Sequence, residues 1–209
     1  MSTIREGLDY GSGPIPPQII KQAKRDFVCR YVHPGKWTQM YANEYKQLLA
    51  ANIDVVFVWE STKTRSLEGG YTGGQHDMNE AIDYVQSIGG PDNAVIYIAA
   101  QDIVFTEPGQ LAAMNAYTSG AANIRGHDLT GAYGGYAAIN YLVSRNVCKY
   151  YWQTYAWSDG IWHPASNIQQ YSNDVPLLGY SVDFDRAMTD DFGQTCGSPF
   201  DELFGPAGC

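Results

Sequence analysis

Five carboxylates fall at or just past the downstream ends of apolar runs: Asp9 after Ile4–Leu8, Glu60 after Ile53–Trp59, Asp102 after Ala94–Ala99, and Asp183 and Asp185 at the end of Gly179–Phe184. Cleavage of a glycosidic bond uses carboxyl groups in pairs, one protonated near neutral pH and one ionised. The two stand about 5–5.5 Å apart in a retaining site and about 6.5–9.5 Å apart in an inverting one. Glu60 closes the most apolar run, directly after Trp59. Burial there raises a carboxyl's pKa and suits it to the general-acid role. Asp9 is the expected second carboxylate, as nucleophile or electrostatic stabiliser, with Asp102 and Asp183 as further candidates. Asp185 shares a face with Asp183 in a regular strand and is expected one step further out. Tyr97, Gln101, Tyr133, Trp152, Gln153, Trp157, Gln170 and Tyr171 are candidate sugar contacts, because aromatic faces pack on pyranose C–H surfaces and amides bond hydroxyls.

Other chemistries lack their residues. His33, His76, His127 and His163 are scattered, with no zinc-ligand spacing, and no Gly-Xaa-Ser-Xaa-Gly elbow is present. No glycine-rich phosphate fingerprint follows the first apolar run, so neither a nucleotide nor any other cofactor or metal is expected. The formal net charge of -9 argues against nucleic acid, whose phosphates demand clustered Lys and Arg. No run of about twenty apolar residues suggests membrane insertion. The chain opens almost directly on its first apolar run, without signal-peptide character, so action at a cell wall would follow export or phage-mediated release. Cys29 and Cys148 sit in apolar runs and are expected as buried thiols, whereas Cys196 and Cys209 flank a Gly/Pro-rich tail and could close a loop.

The elements that must position these acids follow from periodicity. Strands are expected at Ile4–Asp9, Phe27–Val32, Ile53–Trp59, Ala94–Ala99, Gly131–Gly135, Tyr150–Trp157, Ile168–Tyr171 and Gly179–Phe184. Between them come a short helix opened by Pro16 and Pro17, a helix over Glu44–Ala51 with Thr38 as its N-cap, and helices over Gln75–Ile88, Gln110–Ala122 and Tyr136–Arg145. Ser61–Gly74 reads as a long glycine-rich loop. Eight strand-like runs alternating with helices predict an α/β fold with a parallel sheet, a compact TIM-like (β/α)8 barrel whose last helices are shortened. The barrel is expected over residues 1–188, with 189–209 as a C-terminal tail packed on it or extending from it.

Gly7–Tyr10, Val56–Glu60, Ala94–Ala99, Gly131–Gly135, Tyr151–Ser158, Gln169–Tyr171 and Val182–Asp185, read in order, resemble the actinobacterial and phage glycoside-hydrolase-like domain of unknown function. That domain is itself similar to the family-25 glycoside hydrolases, the lysozyme-like muramidases. The resemblance runs over about residues 4–186. It implies a barrel with a carbohydrate cleft at the C-terminal ends of its strands, and a bacterial cell-wall glycan such as peptidoglycan as substrate; a monomer is expected. It also implies an Asp at the position held by Gln101, whereas here the acid comes one residue later, at Asp102. In a regular strand that displacement turns the acid away from the site, and a bulge at the strand end returns it. Two functions therefore stand open: a hydrolase working through Glu60 and Asp9, and a catalytically silent barrel that binds a glycan or a protein.

Overall fold

The computed structural model describes residues 4–36 and 38–196. Eight strands close into one barrel in sequence order: β1 (Arg5–Asp9), β2 (Phe27–Tyr31), β3 (Asp54–Trp59), β4 (Ile96–Ala99), β5 (Thr130–Gly134), β6 (Tyr150–Thr154), β7 (Ile168–Leu177) and β8 (Tyr180–Ala187). The helices α1 (Pro17–Gln22), α2 (Ala42–Ala50), α3 (Arg65–Glu68), α4 (Gly70–Ser87), α5 (Gln110–Arg125) and α6 (Tyr136–Val143) lie between the first six strands. The fold is the expected compact TIM-like (β/α)8 barrel, with the last helices absent among the described residues and not merely shortened.

Strand alternation divides the core. One set of side chains, including Leu8, Val28, Val55, Phe57 and Ile96, faces outward and is covered by α1, α2 and α4. The other set, including Phe27, Cys29, Val56, Val58, Tyr97, Tyr150, Trp152 and Ile168, fills the barrel. Every residue of β3 is buried because both of its faces are covered, which is why Val55–Trp59 reads as an unbroken apolar run; Asp54 at its start pairs with Arg5 at 2.7 Å. Phe192 enters the floor of the barrel: its ring lies 4.8 Å from that of Phe27, and its carbonyl accepts the Tyr97 hydroxyl at 2.7 Å. Thr195 bridges to Val55 beside it. Cys29 and Cys148 are buried free thiols. Cys209, the expected partner of Cys196, lies outside the described residues.

Four expectations are corrected. The sheet is not wholly parallel, because β8 runs antiparallel to both β7 and β1. Only Leu178 and Gly179 join β7 to β8, both at positive φ (47° and 94°). Two such residues make a hairpin turn, and a two-residue link cannot carry a parallel crossover. Thr38 caps no helix; α2 starts at Ala42 after an extended Tyr41. The stretch read as a glycine-rich loop is helical from Arg65 onward. Gly70 turns the chain between α3 and α4 at φ 58°, while Gly69, Gly73 and Gly74 serve contact. A Cβ on Gly74 would stand 1.8 Å from the Tyr117 carbonyl oxygen, and one on Gly120 would stand 1.9 Å from that of Tyr71. Bare backbone thus lets α4 and α5 touch along their lengths. Finally, because β8 is reversed, Asp185 lies one step deeper in the barrel than Asp183, not further out.

Candidate active site

The mouth of the barrel is built at the C-terminal ends of the parallel strands, where β1 ends on Asp9. The register pairs Asp9 with Asp183 on β8. Reversal of β8 makes this possible, since residues early in that strand lie level with residues late in β1. Gln170 on β7 joins the two acids. Its Nε2 donates to Asp9 Oδ2 at 2.7 Å and to Asp183 Oδ2 at 3.2 Å, while its Oε1 accepts from the Tyr133 hydroxyl at 3.1 Å. Two register shifts in β7, between Gln170 and Val175, bring Asn173 Nδ2 and the Asp174 amide onto Asp183 at 2.6 and 2.8 Å. The Tyr31 hydroxyl reaches Asp9 Oδ1 at 3.4 Å.

Glu60 and Asp102 form a second group. Alternation along β3 puts Val56, Val58 and then Glu60 on the inner face. Just past the end of β4 the amides of Ala100 and Gln101 both donate to the Tyr133 carbonyl, at 3.0 and 3.1 Å. Two residues facing one is the signature of a bulge. Gln101 is thereby turned out of the mouth, and the charge of Asp102 bears on Glu60 and Tyr133.

Burial, and next the charge of Asp183, pushes Asp9 up to about 7. Burial, and next the charge of Asp102, does the same to Glu60. Asp102 and Asp183 are raised mainly by burial. Asp185, with no exposed surface, is raised well above the usual carboxylate range, by burial and then by Asp9. Lys36 and Lys63 offset the shift on Glu60 through charge alone. The mouth therefore holds two carboxyls, at the ends of β1 and β3, that are each pushed up to about 7.

Several expected sugar contacts are placed elsewhere. Tyr97 lies in the barrel floor against Phe192, and Trp152 lies in the middle layer with its Nε1 donating to Asp185 Oδ1 at 2.8 Å. Both are buried, 0% and 1% exposed, and offer no face to a ligand. Gln101 spends both amide atoms on backbone, accepting from Gly135 N at 2.9 Å and donating to Ile103 O at 2.9 Å. Gln153 faces outward and organises the β6–β7 connection through Ser158, Ile161, His163 and Ser166. Tyr171 bonds Glu6 and Arg25 on the outside of the barrel. Tyr133, Trp157 and Gln170 remain at the mouth, with Trp157 edge-on to Tyr133 at 6.4 Å. Sequence reasoning missed Tyr31. The signal was present, since Tyr31 is in phase with the inward-facing Cys29 at the end of the second strand.

A sequence profile of the Rv2525c-like, glycoside hydrolase-like domain matches residues 18–189. The chain belongs to that family. Its barrel is similar to the Tat-secreted protein Rv2525c of Mycobacterium tuberculosis, solved in complex with L-tartrate: 26% identity over 92% of this chain and 99% of that one, TM-score 0.83. It also resembles the modular autolysin LytC of Streptococcus pneumoniae, solved with a synthetic peptidoglycan ligand. There the identity is 16%, over 89% of this chain and 47% of that one, with TM-score 0.65. A family 25 glycosyl hydrolase from Bacillus anthracis matches at 10% identity over 90% of each chain, TM-score 0.55. At such identities the last two establish a shared fold. A comparison with curated protein sequences finds no match.

A raised acid carries a stability consequence in this glycoside hydrolase-like barrel. Glu60 moves from 4.5 to about 7 on folding. Between those values the folded protein holds a proton that the unfolded chain has released, so stability falls as pH rises through the window and the penalty is complete above it. The shift corresponds to roughly 3 kcal/mol as an upper figure for a group with some solvent contact. Glu60→Gln is thus expected to melt higher than the wild type at a pH of about 8, with the gap closing near pH 4. Equal melting differences at both pH values would show that Glu60 titrates normally in the fold.

Proposed function

We propose that this domain hydrolyses glycosidic bonds in bacterial cell-wall polysaccharide, peptidoglycan or a related glycan. Glu60 is the general acid and Asp9 the second carboxylate. The observation that carries the reading is the pairing of carboxyls at the mouth, Asp9 with Asp183 and Glu60 with Asp102, with Asp9 and Glu60 each pushed up to about 7. Glu60, protonated at rest, gives its proton to the leaving glycosidic oxygen. Asp9 accepts a hydrogen bond from Gln170, which favours its ionised form, and faces the positive charge that develops at the anomeric carbon. Burial and then repulsion from Asp102 hold the proton on Glu60, and Asp183 shares the Gln170 amide with Asp9. Tyr133 and Trp157 supply the aromatic edge against which a pyranose ring would pack.

The bulge at Ala100–Gln101 favours the hydrolase over the silent barrel, because it returns an acid to the mouth where a regular strand would not. The relative crystallised with a peptidoglycan ligand supports the choice of polymer. The deciding experiment is release of reducing ends from purified peptidoglycan by the wild-type protein. Sugar release is the expected result. Binding to the polymer with no release from several cell walls would assign the domain to the non-catalytic class.

A further inference from the structure

Asp185 is the one acid of the cluster that no step of the proposed reaction uses. Its side chain is wholly inaccessible, in the layer of the barrel below Asp9 and Asp183. Gly7 on β1 and Gln170 on β7 are its register partners. The groups facing it are Asp9 on β1, Cys29 on β2, Tyr133 on β5, Trp152 on β6 and Asp183 on its own strand. No Arg, Lys or His is among them.

Oδ1 of Asp185 accepts the Trp152 indole N–H at 2.8 Å, and Oδ2 meets no donor among the described residues. Its polar neighbour is the Asp9 carboxyl, and two carboxyls make a hydrogen bond only when one carries a proton. A fully buried carboxylate with one donor and no cation is costly, so the charge is removed by protonation. Asp9 has the richer set of donors, with Gln170 at 2.7 Å and Tyr31 at 3.4 Å, and is the better site for the negative charge. We propose that Asp185 remains protonated at neutral pH and donates that proton in a hydrogen bond to Asp9, acting as a positioning residue that holds Asp9 in its ionised, oriented form. The protonation state stands on its own; its catalytic meaning rests on the function proposed above.

The test reads the proton directly. Infrared difference spectra of the wild type, Asp185→Asn and Asp9→Asn are recorded about one pH unit above the range in which Asp9 and Glu60 titrate. The wild type and Asp9→Asn should both show the carbonyl stretch of a buried protonated carboxyl, and Asp185→Asn should lose it. Asparagine mimics the protonated acid, donating to Asp9 and accepting from Trp152. The acid limb of any pH–activity profile should therefore stay in place in Asp185→Asn. A band lost in Asp9→Asn but kept in Asp185→Asn would overturn the assignment, as would its absence from the wild type. An Asp185→Asn acid limb displaced by a pH unit or more would overturn it too. A band that behaves as expected in a protein without hydrolytic activity would retain the proton assignment and reject the proposed reaction, so the two readings fail separately.

Discussion

Glu60→Gln is expected to lower kcat on a polysaccharide by about 10²–10⁴-fold, the range that a positioned general acid contributes. Glutamine keeps the shape and the hydrogen-bonding reach of the side chain but has no proton to give. Substrate binding should change little, so KM should stay within a few-fold of wild type. The leaving group makes the result diagnostic. A glycoside with an aryl leaving group of low pKa departs without protonation, so its cleavage should be impaired far less than that of a sugar–sugar bond. Equal impairment of both substrates would place Glu60 outside the acid role, and an unimpaired variant would remove it from the reaction. The pH dependence offers a second check. A working acid that titrates near 7 should give a rate that falls on the alkaline side through that value.

Arg30→Ala is expected to destabilise the fold by about 3–5 kcal/mol, the cost of removing one partner from a buried ion pair. Against a total of roughly 5–15 kcal/mol for a domain, that loss approaches unfolding. Arg30 points outward from β2 beneath the loops that follow β1 and β2, and its side chain is 0% exposed. Its guanidinium makes a two-pronged pair with Glu44 of α2, Nε at 2.7 Å and Nη2 at 3.1 Å. Nη1 donates to the Tyr10 carbonyl and, at 3.2 Å, to that of Thr38. The Tyr10 hydroxyl completes the cluster on Glu44 at 2.8 Å, and its ring lies 4.0 Å from the guanidinium. Alanine would leave Glu44 buried without its counter-charge and would release the carbonyl directly after Asp9. The double change Arg30→Met with Glu44→Leu removes both charges and should recover most of the loss. Chemical denaturation of the wild type and the two variants measures this, and an Arg30→Ala cost below about 1 kcal/mol would contradict the burial argument.

The strands and the acids at their ends were legible because burial on both faces writes itself as short apolar runs. Glu60 at the end of Asp54–Trp59 needed no structure to find. The direction of the last strand was less legible, since an alternating pattern reads the same both ways. The two-residue Leu178–Gly179 link was the available sign. Gly69–Gly74 misled because glycine marks turns and also marks places where two backbones meet, and the second use depends on α5, some forty residues away. Tyr97 and Trp152 could not be told from ligand contacts by type, because alternation fixes their face but not their depth in the barrel. The displaced acid at Asp102 required the shared Tyr133 carbonyl to resolve.

Closure of the barrel through β1 and β8 ties chemistry to the end of folding. Gln170 and Asp9, bonded at 2.7 Å, are 161 residues apart in sequence. Contacts of such long range form late, because loop-closure entropy opposes them until the intervening chain is ordered. Until β8 docks, Asp9 faces water as an ordinary, fully ionised carboxylate, and neither Asp183 nor Asp185 stands beside it. A chain ordered only through β6 therefore carries six of the eight strands and none of the unusual protonation at Asp9 and Asp185. Recovery of that protonation during refolding would act as a clock for the closing event, separate from the earlier appearance of helix and sheet.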